Sequence, residues 1–252
     1  MRIILSPAKK MRVDTDGLAP RSLPVFLPQA EEILHWLQAR TGAELKKLWA
    51  CNDAIAAENI ARLERMDLRD KARLTPAILS YVGIAYQYMG PEVFEDRHFD
   101  YVQEHLRILS GFYGVLKPMD GVMPYRLEMQ AKAKVAGTKD LYEYWGDRLY
   151  REVRDGSGLI IDLASKEYAV CIERYLQPED RYITCTFGEV DGGKIVQKGV
   201  YVKMARGDMV RFMAENSIED PEEMKRYDRM GYRFSEERST AEEYVFIRER
   251  DD

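Results

Sequence analysis

Residues 105–129, HLRILSGFYGVLKPMDGVMPYRLEM, constrain this chain more than any other stretch. An apolar helix end (Leu106, Ile108, Leu109) runs into a Gly-aromatic-aromatic-Gly turn, Gly111-Phe112-Tyr113-Gly114. Lys117-Pro118, Pro124-Tyr125-Arg126 and Glu128 follow within one loop. Glycine lets backbone N–H groups approach a ligand closely, and proline fixes the backbone. A segment that only packs does not need Lys, Tyr, Arg and Glu on so rigid a platform, whereas a binding or catalytic site does.

Around this stretch the periodicity predicts a mixed fold. Arg2 to Leu5 reads as a buried strand, ended by Ser6-Pro7. Gln29 to Arg40, Ala43 to Ala50 and Asn52 to Arg65 have helical spacing, the last capped by Asn52 or Asp53. Ala77 to Val82 reads as a strand, and Phe99 to Leu109 and Leu141 to Val153 as helices. Leu159 to Leu163 is a β-rich run that leads through Ser165 into a helix reaching Tyr175. Arg181 to Val190 and Lys194 to Val202, joined by Asp191-Gly192-Gly193, form the clearest hairpin signal. Lys203 to Glu215 and Glu222 to Arg229 are helical, and Tyr232 to Phe234 and Glu243 to Arg248 suit paired terminal strands. With no repeat, low-complexity tract or linker, the expectation is one α+β domain over residues 1–252, two-lobed with a cleft, rather than a doubly wound sheet.

The chain has 252 residues, 46% of them hydrophobic and 32% charged, enough for a sizeable core. No apolar run approaches the about 18 residues of a membrane span, and Met1 to Leu5 is too short for a signal peptide. Cys51, Cys171 and Cys185 are scattered without a CxxC, as expected of reduced thiols in a cytoplasmic protein. The net charge of −5 speaks against nucleic acid as a whole-chain property. Residues 215–252 carry 13 Asp/Glu and 7 Lys/Arg, a net of −6, so residues 1–214 are at +1. An acidic C-terminal face can thus coexist with a basic cleft. That face is either solvated surface or a protein-interaction surface.

Several short motifs carry candidate chemistry. Ser6-Pro7-Ala8-Lys9-Lys10 follows the first strand, where ligands gather in mixed α/β proteins, and its hydroxyl and ammonium groups suit phosphate oxygens. The alternative is a surface turn. Arg126 can grip a phosphate or carboxylate in bidentate fashion, with Glu128 orienting it or acting as a base, or the two form a structural pair. Ser165 sits at a strand–helix junction as an N-cap or a cleft residue, and Glu167 near it can face the cleft. Lys203 and Arg206 share one helix face and Arg211 lies to one side. His35, His98 and His105 are badly spaced for a metal, and no Cys/His cluster has zinc spacing, so no metal and no cofactor is expected.

SGFYGVLKPMD and PYRLEM resemble the signature of the YaaA family of bacterial peroxide-stress proteins. So do Ser6-Pro7-Ala8-Lys9, Leu141 to Asp147 (LYEYWGD), Leu163-Ala164-Ser165 with Glu167-Tyr168, and Ala205-Arg206-Gly207 with Arg211-Phe212, all in family order. The resemblance implies a single mixed domain of unusual topology with a positively charged cleft and a helix-hairpin-helix-like element. It implies a cytoplasmic protein that limits hydrogen peroxide damage by keeping free iron low and that binds double-stranded DNA. On that basis Lys9, Lys10, Arg107, Lys117, Arg126, Lys203, Arg206 and Arg211 would neutralise DNA phosphates, largely without reading sequence. The N–H groups around Gly111 and Gly114 would act as the hairpin, although the spacing is Gly-x-x-Gly rather than the usual Gly-x-Gly. Relatives carry Gly-Asp near Gly83, a glycine near Tyr88 and often an acidic residue at Lys166, whereas this chain has Ile84, Tyr88 and Lys166.

The same residues leave an enzyme reading open. Ser6, Lys9, Tyr125, Arg126, Glu128, Asp147, Ser165 and Glu167 mix nucleophiles, cations and carboxylates in loops that can converge. Backbone clamping does not need the carboxylates, so the alternative partner is a small phosphate-bearing or nucleotide-like substrate. A cleft too narrow for a duplex would favour it. No membrane partner is expected.

Overall fold

The computed structural model describes residues 1–249. Its centre is the N-terminal strand, Arg2–Leu5, whose Ile3, Ile4 and Leu5 are buried. Consecutive buried apolar residues require a strand covered on both faces, which is how parallel strands sit. Arg2–Leu5 pairs in parallel with Leu106–Ser110 on one side and with Leu159–Leu163 on the other. Arg181–Asp191 and then Glu243–Arg248 extend the parallel set. The margins are antiparallel: Gly114–Leu116 pairs with Leu106–Ser110, and Tyr232–Phe234 pairs with Glu243–Arg248, with Asp228–Arg229 beyond. Lys194–Val196 folds back on Arg181–Asp191.

The result is a single mixed α/β domain, with five parallel strands in the middle of its sheet. That is more parallel than the irregular interleaving of elements suggested, because strands far apart in sequence pair through crossovers. Helix Asp96–His105 packs on the two central strands, and helix Gly199–Glu215 packs on Arg181–Asp191 and on the short helix Ile84–Met89.

Many elements form where the pattern places them. Helices Leu27–Gln38, Gly42–Trp49 and Asp53–Glu64 are present, and the Asn52 side chain caps the last by accepting from the Ile55 N–H at 2.9 Å. Tyr232–Phe234 and Glu243–Arg248 pair as expected. Other elements differ. The helix expected over Phe99 to Leu109 ends at His105, and Leu106–Ser110 is a strand. Short apolar runs do not distinguish buried strand from buried helix. The same ambiguity affects Ala77 to Val82, where a helical turn, Ala77–Ser80, separates short strands Thr75–Pro76 and Tyr81–Val82. Leu141 to Val153 is two helices, Leu141–Trp145 and Arg148–Val153, broken at Gly146, whose φ of +53° with ψ −136° suits glycine alone. The second hairpin strand stops at Val196, and helix begins at Gly199.

The helix-hairpin-helix-like element is a strand–turn–strand. Leu106–Ser110 and Gly114–Leu116 are its arms, and Phe112 and Tyr113 at its tip are buried. The C-terminal region is built into the sheet, with Glu236, Glu237, Glu242 and Glu243 exposed on its surface. Glu243–Arg248 is the last parallel strand, with Tyr244, Val245 and Phe246 buried, and residues 250–252 lie outside the described residues.

Candidate functional site: a cleft at the strand ends

Leu5 is in register with Leu163 on one side and with Ile108 on the other. The carboxyl ends of three neighbouring parallel strands therefore deliver Ser6, Ser165 and Ser110 to one end of the sheet. This is the end at which open α/β sheets bind ligands. Ser6 Oγ donates to Ser165 Oγ at 3.0 Å, and the Ser165 N–H donates to Ser6 Oγ at 2.8 Å. The Ser165 backbone is extended, as at an N-cap, but its hydroxyl faces Ser6 and does not cap helix Lys166–Glu173. The Ser6 carbonyl accepts from the Tyr86 hydroxyl at 3.0 Å. Around these groups opens a cleft of about 410 Å3. Its walls are the segments 5–10, 82–86 and 125–128 and the residues Leu163, Ser165, Glu167 and Tyr168, together with Lys203 and Arg206.

Two clusters of charge line it. In the first, Lys9 Nζ stands 3.1 Å and Arg126 Nη2 3.4 Å from the same oxygen, Glu128 Oε1. Neither contact has hydrogen-bond geometry, so this buried oxygen is held by charge alone. Glu167 lies beside it, with Oε1 accepting from the Gln130 N–H at 3.2 Å. Burial pushes the Glu167 carboxyl above the usual range; the Gln130 hydrogen bond and Lys9 pull it back, and the Glu128 charge pushes it further up.

The second cluster is Lys203 and Arg206 on helix Gly199–Glu215. Behind Arg206 lies Asp162, a buried carboxylate in strand Leu159–Leu163 that accepts from the Ala164 N–H at 2.7 Å. Burial raises Asp162 to about 6, with the Ala164 hydrogen bond and the Arg206 charge opposing. Burial lowers Arg206 and Asp162 opposes. The helix comes close because Gly207 has no side chain: a Cβ there would stand 1.8 Å from the Ala85 carbonyl oxygen.

A buried hydroxyl chain supports the floor. Ser110 Oγ accepts from the N–H groups of Phe112 at 3.1 Å and Tyr113 at 2.9 Å. With both lone pairs used, it must donate its own hydrogen to the Tyr125 hydroxyl, 2.6 Å away. Tyr125 in turn lies 2.9 Å from the Tyr81 hydroxyl, and burial raises Tyr125 to about 12.

The family described as peroxide stress protein YaaA matches residues 1–238. The chain belongs to the YaaA family of peroxide stress proteins. A UPF0246 protein of Agathobacter rectalis is 61% identical over 98% of this chain and 99% of its own length. UPF0246 proteins of Desulfitobacterium hafniense and Lachnoclostridium phytofermentans are 52% and 50% identical, each over 98% of this chain and over 98% and 96% of their own lengths.

In this YaaA-family chain the cleft collects Ser6, Lys9, Lys10, Tyr125, Arg126, Glu128, Ser165, Glu167, Lys203 and Arg206. The other residues singled out in the sequence lie elsewhere. Gly111 and Gly114 are buried, and a Cβ on Gly111 would stand 2.7 Å from the Leu127 carbonyl oxygen. The neighbouring N–H groups are spent on Ser110, so this turn presents no phosphate cradle. Arg107 is buried, its guanidinium donating to the carbonyls of Gln103, Glu104 and Leu106. Lys117 lines a separate crevice of about 100 Å3 with Asp120 and Glu152. Arg211 pairs with Glu215 at 2.7 Å, and Asp147 with Arg151 at 2.5 Å. Ile84 contributes a cleft wall.

Sequence reasoning missed Tyr86, Tyr168 and Asp162. A lone aspartate inside the apolar run Leu159–Leu163 was the signal for the last, because a buried carboxylate needs partners. Among the described residues no group of three or more His, Cys, Asp or Glu side chains is placed to hold a metal ion, and no helix is long and apolar enough to cross a membrane.

Proposed function

We propose that this YaaA-family protein is an enzyme that binds a small phosphate-bearing molecule in the cleft. One observation carries this reading. A cavity of about 410 Å3 combines five cationic side chains with the carboxylates of Glu128 and Glu167. Sites of about 300–1,000 Å3 are sized for small molecules. A clamp on duplex phosphates needs cations and N–H donors, and carboxylates among them weaken it. Lys203, Arg206 and the Ser6–Ser165 pair suit phosphate oxygens. Glu128 and Glu167 are placed to accept or return a proton from a bound hydroxyl or amine. Calorimetric titration with inorganic phosphate and phosphate monoesters tests the reading. Binding that Arg206→Ala weakens tenfold or more is expected; no binding of any phosphate compound would end it.

The second reading is duplex DNA binding through the same side chains, largely without sequence specificity. Lys9, Lys10 and Lys203 are exposed at the mouth of the cleft, which favours it. Neutralising five phosphates would reduce affinity about several hundred-fold between 50 and 200 mM salt. Fluorescence anisotropy of a short duplex, with wild type and with Lys9→Ala/Arg126→Ala, measures that slope. Binding that ignores salt, or survives in the variant, counts against it. Under either reading the bound partner serves the peroxide response in the cytoplasm, with lowered free iron as a consequence.

A further inference from the structure

Resting on the small-ligand reading, we infer that the cleft takes a nucleoside monophosphate, with its phosphate at Arg206 and Lys203 and its hydroxyl-bearing remainder against Glu128 and Glu167.

The inference starts from polar atoms without partners. Among the described residues, the buried side-chain nitrogens and oxygens that lack a hydrogen bond include Arg126 Nε, Glu128 Oε1 and Arg206 Nε, all on side chains that line this one cleft. Folded proteins leave few such atoms, and each calls for a reason. Here they carry both signs, so the complementary ligand has both an anionic and a donor-bearing part.

The anionic part belongs at Arg206. Its guanidinium and the Lys203 ammonium project from one helix three residues apart into the cleft. Asp162 is buried and accepts from the Ala164 N–H; its charge acts on Arg206, but it does not line the cleft itself. A guanidinium fork recognises phosphate oxygens in pairs.

The other cluster gives a second anion no net attraction. Lys9 and Arg126 are both drawn to Glu128, and Glu167 stands close enough to feel the Glu128 charge. With two cations facing two carboxylates the cluster carries no net attraction for a second phosphate, and its carboxylates accept hydrogen bonds from sugar hydroxyls or a base amino group. Val82, Ile84 and Leu163 with the rings of Tyr86 and Tyr168 supply an apolar lining suited to a flat base. The volume accommodates one nucleotide unit.

The experiment is isothermal titration of the full chain with the four ribonucleoside 5′-monophosphates, the matching nucleosides and triphosphates, ribose 5-phosphate and inorganic phosphate. At least one monophosphate is expected to bind tenfold or more tightly than its nucleoside, its triphosphate and inorganic phosphate. Arg206→Gln should reduce that monophosphate to the affinity of the nucleoside. Glu128→Gln/Glu167→Gln should weaken it tenfold or more while leaving inorganic phosphate unchanged or tighter. Should Arg206→Gln fold poorly, Arg206→Lys keeps the charge facing Asp162 and is expected to show an intermediate loss. Equal affinity for inorganic phosphate or ribose 5-phosphate, or a carboxylate variant that keeps full affinity for the monophosphate, would overturn the inference and leave the small-ligand reading standing. No binding of any phosphate compound to folded wild type would overturn both.

Discussion

Gly207 sets how closely the two helices that wall the cleft can approach. A methyl group there would lie 1.8 Å from a backbone carbonyl, and backbone yields less readily than a side chain. Gly207→Ala is therefore expected to cost at least the upper part of the about 1–3 kcal/mol typical of overpacking. In a chain of this size that lowers the melting temperature by about 4–10 °C. Differential scanning fluorimetry checks it, and a melting temperature within a degree of wild type would show that the helices separate at little cost. Asp162 gives a pH signature. Its folded-state value near 6 lies above the ordinary 3.8, so the native state binds its proton more tightly than the unfolded chain does. Its contribution to stability is complete below pH about 4 and is lost as pH rises through about 6, amounting to up to about 3 kcal/mol. Asp162→Asn cannot ionise, so the wild-type minus variant difference in unfolding free energy should fall across that window. Urea melts between pH 3.5 and 7 would show it, and a flat difference would mean that Arg206 already compensates for the charge. Lys9, Arg126, Glu128 and Glu167, which line the cleft, were recognisable as candidates because polar groups beside Pro, Gly and strand ends are costly to hold rigid unless used. Arg107 carried the same kind of signal and is instead tied to backbone carbonyls, a distinction only burial makes.

At the scale of elements, the C-terminal strand is decisive. Glu243–Arg248 lies between Arg181–Asp191 and Tyr232–Phe234 and buries Tyr244, Val245 and Phe246. Deleting residues 236–252 would remove a sheet strand rather than a docking tail. The truncated chain is expected to be insoluble or to lose its cooperative unfolding transition, which circular dichroism on heating would reveal. A truncated chain that melts like wild type would show the strand to be dispensable. The strand itself was legible, because Glu243-Tyr244-Val245-Phe246-Ile247-Arg248 places a run of β-prone residues between charged ones. Its parallel pairing with residues 181–191 was not, since nothing local encodes a partner more than fifty residues away. The turn at Gly111–Gly114 shows the same limit from the other side. Its glycines and aromatics were plain to read, yet whether its N–H groups faced a ligand or the interior depended on Ser110, which turned them inward.

For the whole molecule, the chain's first strand sits in the middle of a sheet whose neighbours come from residues 106–110 and 159–163. The core is closed only when these distant segments meet. Amide hydrogen exchange should therefore be slowest at Ile3, Ile4, Ile108, Ile160 and Ile161, exchanging only through global unfolding. The exposed hairpin end around residues 190–196 should exchange orders of magnitude faster. Equal protection at both places would contradict this hierarchy. Periodicity, caps and breakers along the chain decide most elements, the mixed class of the fold and the residues able to do chemistry, because these depend on neighbours a few positions away. The three-dimensional fold alone decides which of those residues meet. The register of Leu5 with Leu163 joins Ser6 to Ser165, and the close approach at Gly207 places Arg206 on the cleft wall, while Arg107, Lys117, Asp147 and Arg211 are left outside it. Strand register and helix approach are set by packing over the whole core, which no short window of sequence contains.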